Sequence, residues 1–186
     1  MFVQTEITPN PLTLKFIPGR IVMDDGTLFF KNIEEAKDSP FAKKLFNIEG
    51  IEGVFFGSDF ITITKKQEVN WDTLKPLVLG VISDFYSSNE KIIKKSESNQ
   101  NQKKELSKDT DIVKKIKELI ETRVRPAVAM DGGDIIFEKF ESGIVYLHMQ
   151  GSCAGCPSST ATLKSGIENM LKHYVPEVSE VKPVVE

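Results

Sequence analysis

A polar stretch in the middle of the chain constrains the fold more than any other feature. Between Ser87 and Lys108 the residues are mostly Ser, Asn, Gln, Glu and Lys, with almost no large apolar side chains. Such a segment cannot bury enough apolar surface to offset the entropy that it loses on ordering. We therefore predict a flexible polar linker over residues 87–109, between an N-terminal domain over residues 1–86 and a C-terminal domain over residues 110–186.

The N-terminal part has the pattern of a small domain of mixed helices and strands. Apolar and polar residues alternate over residues 12–16, which predicts a strand. Ser39 followed by Pro40 is typical of a helix start. Two apolar runs, residues 51–56 and 60–64, predict a hairpin. An apolar face over residues 71–85 predicts a helix that begins near Asp72 or bends at Pro76.

The C-terminal part predicts the order helix, hairpin, cysteine loop, helix. The first helix is expected over residues 112–124 and is expected to stop at Pro126. A Gly132-Gly133 turn, which we favour over a phosphate-binding nest, precedes a hairpin of residues 135–140 and 144–149. The remaining elements are a helix from Pro157 to about Pro176 and a short strand over residues 178–185. The predicted fold class is α+β, with two small α/β domains.

The two cysteines of the chain, Cys153 and Cys156, lie together in one Cys-Ala-Gly-Cys loop. A tetrahedral zinc site or a cubane iron–sulfur cluster usually needs four protein ligands. The pair is therefore either a redox dithiol or half of a metal site that a second molecule completes. Gly151 and Gly155 permit positive φ angles, and the start of the following helix favours thiolates. We accordingly predict lowered pKa values for both thiols.

Four interpretations of this loop compete. Two inert buried thiols are disfavoured because the pair is flanked by glycines in a polar loop. A thioredoxin-type redox pair is disfavoured because no βαβ pattern is predicted and no Trp precedes the motif. A zinc ion or an iron–sulfur cluster, shared between two chains, both remain open on residue chemistry alone. His148 and His173 lack metal-ligand spacing to the cysteines, so we do not expect them to be ligands.

Composition excludes several classes of protein. The net charge of −3 argues against nucleic-acid binding, and no long apolar run predicts a membrane span. The N-terminal residues do not have the pattern of a secretory signal. Two cysteines in one local motif suit a reducing compartment. We expect a bacterial cytoplasm, with the mitochondrial matrix as the alternative if a leader has been removed.

Short runs in both halves of the chain follow a known family pattern, at residues 8–11, 14–16, 45–46, 50–51, 54–57, 59–62, 116–119, 123–126, 131–134, 147–159 and 174–178. Through these runs both parts of the chain resemble the Nfu-type, NifU-like iron–sulfur carrier proteins. The resemblance implies that Cys153 and Cys156 bind a labile [4Fe–4S] cluster shared between two protomers. It also implies a homodimer that is not an enzyme, receives clusters from upstream assembly proteins and hands them to recipient apoproteins.

Overall fold

The computed structural model describes residues 2–88, 90–93, 110–155 and 157–184. The chain divides into two compact units, Met1–Gln102 and Lys103–Glu186. Each unit contains helices and a β-sheet, which confirms the predicted α+β class. Most of the predicted linker, residue 89 and residues 94–109, lies outside the described residues, and the linker stays a prediction.

The N-terminal unit is built on a five-stranded antiparallel sheet in the order β1-β2-β5-β4-β3. Its strands are β1 Gln4–Ile7, β2 Thr13–Ile17, β3 Leu28–Phe30, β4 Ile51–Phe56 and β5 Ile61–Lys65. Its helices are α1 Pro40–Phe46 and α2 Trp71–Ser87, with a 3₁₀ turn at Glu35–Asp38. The predicted strand, hairpin and two helices are therefore present, whereas β1 was not predicted.

One face of this sheet packs against α1 and α2 to form the core of the unit. The core side chains come from alternate strand positions and from the inner faces of the helices: Leu14, Phe16, Val54, Phe56, Ile61, Ile63, Phe41, Leu45, Leu74, Val78, Ile82 and Phe85. The alternation that predicted β2 reflects this period of two, whereas β4 and β5 were predicted from apolar runs.

Capping side chains determine where both helices begin. Ser39 Oγ accepts a hydrogen bond from the Ala42 amide at 3.2 Å, as the sequence predicted for a helix that starts at Pro40. Asn70 Oδ1 accepts one from the Asp72 amide at 3.2 Å, so α2 begins one residue before the expected position. Pro76 lies inside α2, where it removes one backbone hydrogen bond.

The C-terminal unit has a three-stranded sheet in the order β6-β7-β8. Its elements are α3 Asp111–Leu119, a π-helical turn Ile120–Val124, α4 Arg125–Met130, β6 Gly133–Glu141, β7 Ile144–Gly151, α5 Pro157–Tyr174 and β8 Glu180–Pro183. Strands β6 and β7 form the predicted antiparallel hairpin. Apolar side chains of α3, α4 and α5 pack on the sheet around Ile135, Val145 and Leu147.

The prediction that Pro126 ends the first helix was wrong. The chain continues as α4 to Met130, because the helix first widens into the π-helical turn. The Arg125 amide donates to the carbonyl of Ile120, five residues earlier. A proline ring in a regular helix clashes with the carbonyl four residues earlier, and the wider turn relieves that clash.

The prediction that no βαβ unit surrounds the cysteine loop was also wrong. Strand β8 pairs with β7 in parallel, and α5 connects them. The cysteine loop is thus the connection from a strand to the helix of a crossover unit. No helix within the described ranges has the length and apolar character that a membrane span requires.

Candidate metal centre

The loop that carries Cys153 joins the end of β7 to the start of α5. The Cys153 amide donates to the carbonyl of Gln150 at 3.3 Å, and the Ala154 amide donates to that of Gly151 at 3.1 Å. Gly151 and Gly155 have φ angles of 62° and 72°, as the sequence predicted. These contacts fold the loop back on the end of β7 and fix the backbone of Cys153. Cys156 lies outside the described residues.

The Gly132-Gly133 turn supports the loop from the neighbouring strand. The Ser152 amide donates to the Gly132 carbonyl at 3.2 Å, and Gly132 has a φ of 80°. Gly133 lies so close to the loop that a Cβ atom there would come within 2.5 Å of Cys153 Sγ and 2.9 Å of the Gln150 carbonyl oxygen. The turn predicted here is present, and Gly133 permits the cysteine to pack directly against the backbone of β6.

The Cys153 thiol is buried, with only 5% of the residue exposed. Burial raises the pKa of Cys153 to about 12; a hydrogen bond with Ser152 opposes this shift, and the charges of Asp131 and Asp134 add to it. The predicted lowering of this pKa was therefore wrong, because loss of water around the thiol outweighs the polar groups near it. The same prediction for Cys156 remains a prediction.

An ion pair that was not predicted from the sequence flanks this loop. Arg125 Nε and Nη2 donate to Asp134 Oδ1 and Oδ2, each at 2.8 Å, in a two-pronged geometry. Arg125 Nη1 also donates to Glu121 Oε1 at 2.8 Å. Asp134 is 3% exposed, and its Oδ1 additionally accepts the Ile135 amide at 2.8 Å. These hydrogen bonds raise the pKa of Arg125, chiefly through Asp134. Nine residues of separation and an intervening turn gave no local signal for this pair.

The remaining sequence candidates are engaged elsewhere. His148 Nε2 lies 3.0 Å from Glu138 Oε2, and the His173 ring packs edge-on against Tyr174. Within the described part of the chain, no three His, Cys, Asp or Glu side chains come together in a way that could hold a metal ion. A complete mononuclear site is therefore not formed by those residues alone.

Comparison with known proteins matches both units of the chain. Residues 3–89 match the family model "Scaffold protein Nfu/NifU N terminal", and residues 116–182 match the "NifU-like domain". The two models follow each other along the chain in the same order as the two structural units.

Curated relatives cover nearly the whole chain. "NifU-like protein 4, mitochondrial" of Arabidopsis thaliana is 52% identical over 185 residues, which is 98% of this chain and 65% of that protein. "NifU-like protein 5, mitochondrial" of the same plant is 51% identical over 98% of this chain and 67% of its own length. "NFU1 iron-sulfur cluster scaffold homolog, mitochondrial" of Homo sapiens is 48% identical over the full chain and 73% of its own length.

The chain thus spans about two thirds of the length of these relatives. Identity near 50% over both units, together with the two matching family models, establishes the relationship. The chain belongs to the Nfu/NifU-like family and contains both its N-terminal domain and its NifU-like domain.

Proposed function

We propose that this protein is an iron–sulfur cluster carrier that holds a labile [4Fe–4S] cluster between two protomers and transfers it to recipient apoproteins. Cys153 and Cys156 of each protomer supply the thiolates, and four thiolates satisfy the four irons. The cluster is cargo, so the protein acts as a scaffold and not as an enzyme. The names of the relatives as cluster scaffolds support this role.

The observation that carries the proposal is a structurally supported cysteine loop in a chain with only two cysteines, whereas a cubane cluster usually needs four protein ligands. Hydrogen bonds and the close approach of Gly133 hold Cys153 in place. No other described His, Cys, Asp or Glu side chains join it in a metal-binding group. Two cysteines can supply half of the four ligands, so we infer that a second copy of the chain supplies the other half.

Burial of Cys153 has a consequence for the loading step. A thiol with a pKa of about 12 is protonated at neutral pH, and cluster ligation needs the thiolate. Loading of the cluster must therefore release this proton.

The alternatives predict different chemistry. A thiol–disulfide oxidoreductase needs a nucleophilic thiolate, and burial of Cys153 works against it, although the βαβ setting of the loop is compatible with it. A zinc-bridged structural dimer would use the same four thiolates without sulfide. Both remain outcomes of the test below.

The location and partners follow from the same role. The relatives are named as mitochondrial proteins, which favours the mitochondrial matrix over the bacterial cytoplasm among the two compartments predicted. Recipient apo iron–sulfur proteins and an upstream assembly protein are the expected partners, alongside a second copy of the chain.

Anaerobic reconstitution of the full chain with iron and sulfide tests the proposal. The expected product is a brown protein that transfers its cluster to an apo-ferredoxin, and either Cys153→Ser or Cys156→Ser should abolish cluster binding. Gly166→Ala is the matched control, because a Cβ atom at this helical position meets nothing within 4 Å. A colourless wild-type chain, or one that binds zinc without sulfide, would contradict the proposal.

A further inference from the structure

The Arg125–Asp134 ion pair lies at the start of β6, beside the end of β7, from which the cysteine loop leaves. Asp134 directly follows Gly133, the residue that packs against Cys153 Sγ. In the hairpin register, Gly133 lies opposite Gly151, and Asp134 lies opposite Gln150. The carbonyl of Gln150 in turn accepts the Cys153 amide at 3.3 Å. Asp134 thus follows the residue that Cys153 packs against, and it pairs across the hairpin with the residue whose carbonyl accepts the Cys153 amide.

Arg125 fixes the start of β6, because it binds the Asp134 side chain there. We call this two-pronged contact the clamp. Both oxygens of Asp134 are bound by the guanidinium at 2.8 Å, and the carboxylate is almost fully buried. Arg125 sits at the first position of α4, directly after the π-helical turn. Glu121, one turn earlier, holds the third guanidinium nitrogen. The clamp therefore ties the helix to the strand beside the cysteine loop.

Charge gives the pair a second effect on the same site. A [4Fe–4S] cluster with four thiolates is an anion, and the buried carboxylate of Asp134 directly follows Gly133, the residue that packs against Cys153. Arg125 neutralises that carboxylate through two charge-assisted hydrogen bonds. Without the guanidinium, a buried negative charge would face the anionic cluster without compensation.

We propose that Arg125 and Asp134 are positioning residues for the cluster, which hold the Gly133 backbone against Cys153 and compensate charge beside it. This inference rests on the proposed carrier function. Partners that orient metal ligands typically change metal affinity by about 10–100-fold when they are removed. We therefore expect Arg125→Gln to shorten the lifetime of the reconstituted cluster against a chelator by about tenfold or more.

The test compares full-length wild type, R125Q, D134N and the double variant R125Q/D134N after anaerobic reconstitution. The matched control is R123Q, because Arg123 is on the same helical turn but stacks on the Tyr174 ring, 4.7 Å from its centroid. We expect R125Q to lose the cluster fastest, the double variant to recover part of the lifetime, and R123Q to behave like wild type. Melting of each metal-free form shows separately how far the fold is affected.

The midpoint potential of the bound cluster separates the charge effect from simple loosening of the fold. R125Q should lower it, because negative charge then accumulates near the cluster, and D134N should raise it. Shifts of the same sign in both variants, or an R125Q lifetime equal to that of R123Q, would overturn the inference. If R125Q does not fold, D134N is compared with wild type alone: a higher midpoint potential would support the inference, and an unchanged or lower one would overturn it. A wild-type chain that binds no cluster would instead contradict the carrier function itself.

Discussion

Replacing Gly133 by Ala tests the structural basis of the cysteine loop. The added Cβ would lie 2.5 Å from Cys153 Sγ, 3.0 Å from Ser152 Oγ and 2.9 Å from the Gln150 carbonyl oxygen. The two side-chain contacts can be relieved by rotation, but the carbonyl belongs to the backbone of β7. Overpacking of this kind costs about 1–3 kcal/mol. We expect a loss of that size in the free energy of unfolding of the C-terminal unit.

The assay follows urea unfolding by circular dichroism and by tryptophan fluorescence. Trp71 is the only tryptophan of the chain and lies in α2, so its fluorescence reports on the N-terminal unit. That transition should not move, whereas the part of the dichroism signal from the C-terminal unit should unfold at lower urea.

Gly166→Ala is the control for Gly133→Ala. It adds the same methyl group where nothing lies within 4 Å, and Ala should stabilise the helix by about 0.5–1 kcal/mol. The reasoning is refuted if Gly133→Ala unfolds within about 0.5 kcal/mol of wild type, the range of ordinary surface changes. Retention of a cluster with wild-type lifetime in this variant would refute the packing argument as well.

Three further substitutions test other parts of the fold. Ser39→Ala should lower the free energy of unfolding of the N-terminal unit by about 1–2 kcal/mol, because it removes the helix cap and the hydrogen bond from Oγ to the Ile92 carbonyl at 2.7 Å. Trp71 fluorescence in urea measures this loss, and stability equal to wild type would contradict it. Gly143→Ala should lower the melting temperature of the C-terminal unit, because Gly143 has a φ of 78° and an added Cβ would meet Ser179 Oγ at 2.8 Å. Each kcal/mol of stability lost corresponds to about 4–8 °C in a domain of this size, and an unchanged melting temperature would count against the turn geometry. Burial raises the pKa of Tyr86 above its ordinary value of 10, so folding favours the protonated phenol and the stability of the fold should fall as the pH rises above 10. In melting experiments Tyr86→Phe should weaken this loss of stability at alkaline pH, and a pH profile identical to wild type would show that Tyr86 is not its source.

Local patterns predicted most of the secondary structure. Apolar–polar alternation marked β2, whereas β4 and β5 were predicted from apolar runs, and nearly all of their residues are buried. The Ser39-Pro40 start of α1 was predictable because a cap needs only three neighbouring residues. Strand β1 escaped prediction because most of its residues are exposed and show no apolar alternation.

Contacts between distant residues were not predictable from one sequence. The continuation of the helix past Pro126 depends on a π-helical turn, and the parallel pairing of β8 depends on the path of α5. The raised pKa of Cys153 depends on how the unit packs around the loop, whereas the sequence showed only polar neighbours and a helix start. The position of the cysteine loop between a strand and a helix was nevertheless predicted from glycine and proline signals.

The stoichiometry of the reconstituted protein tests the central claim most directly. Iron, sulfide and native mass are measured anaerobically on one sample of the full chain. The account predicts two chains that carry one [4Fe–4S] cluster, and a return to the metal-free state when a chelator removes the iron. A single chain with a complete cluster, or a dimer that contains zinc and no sulfide, would contradict it.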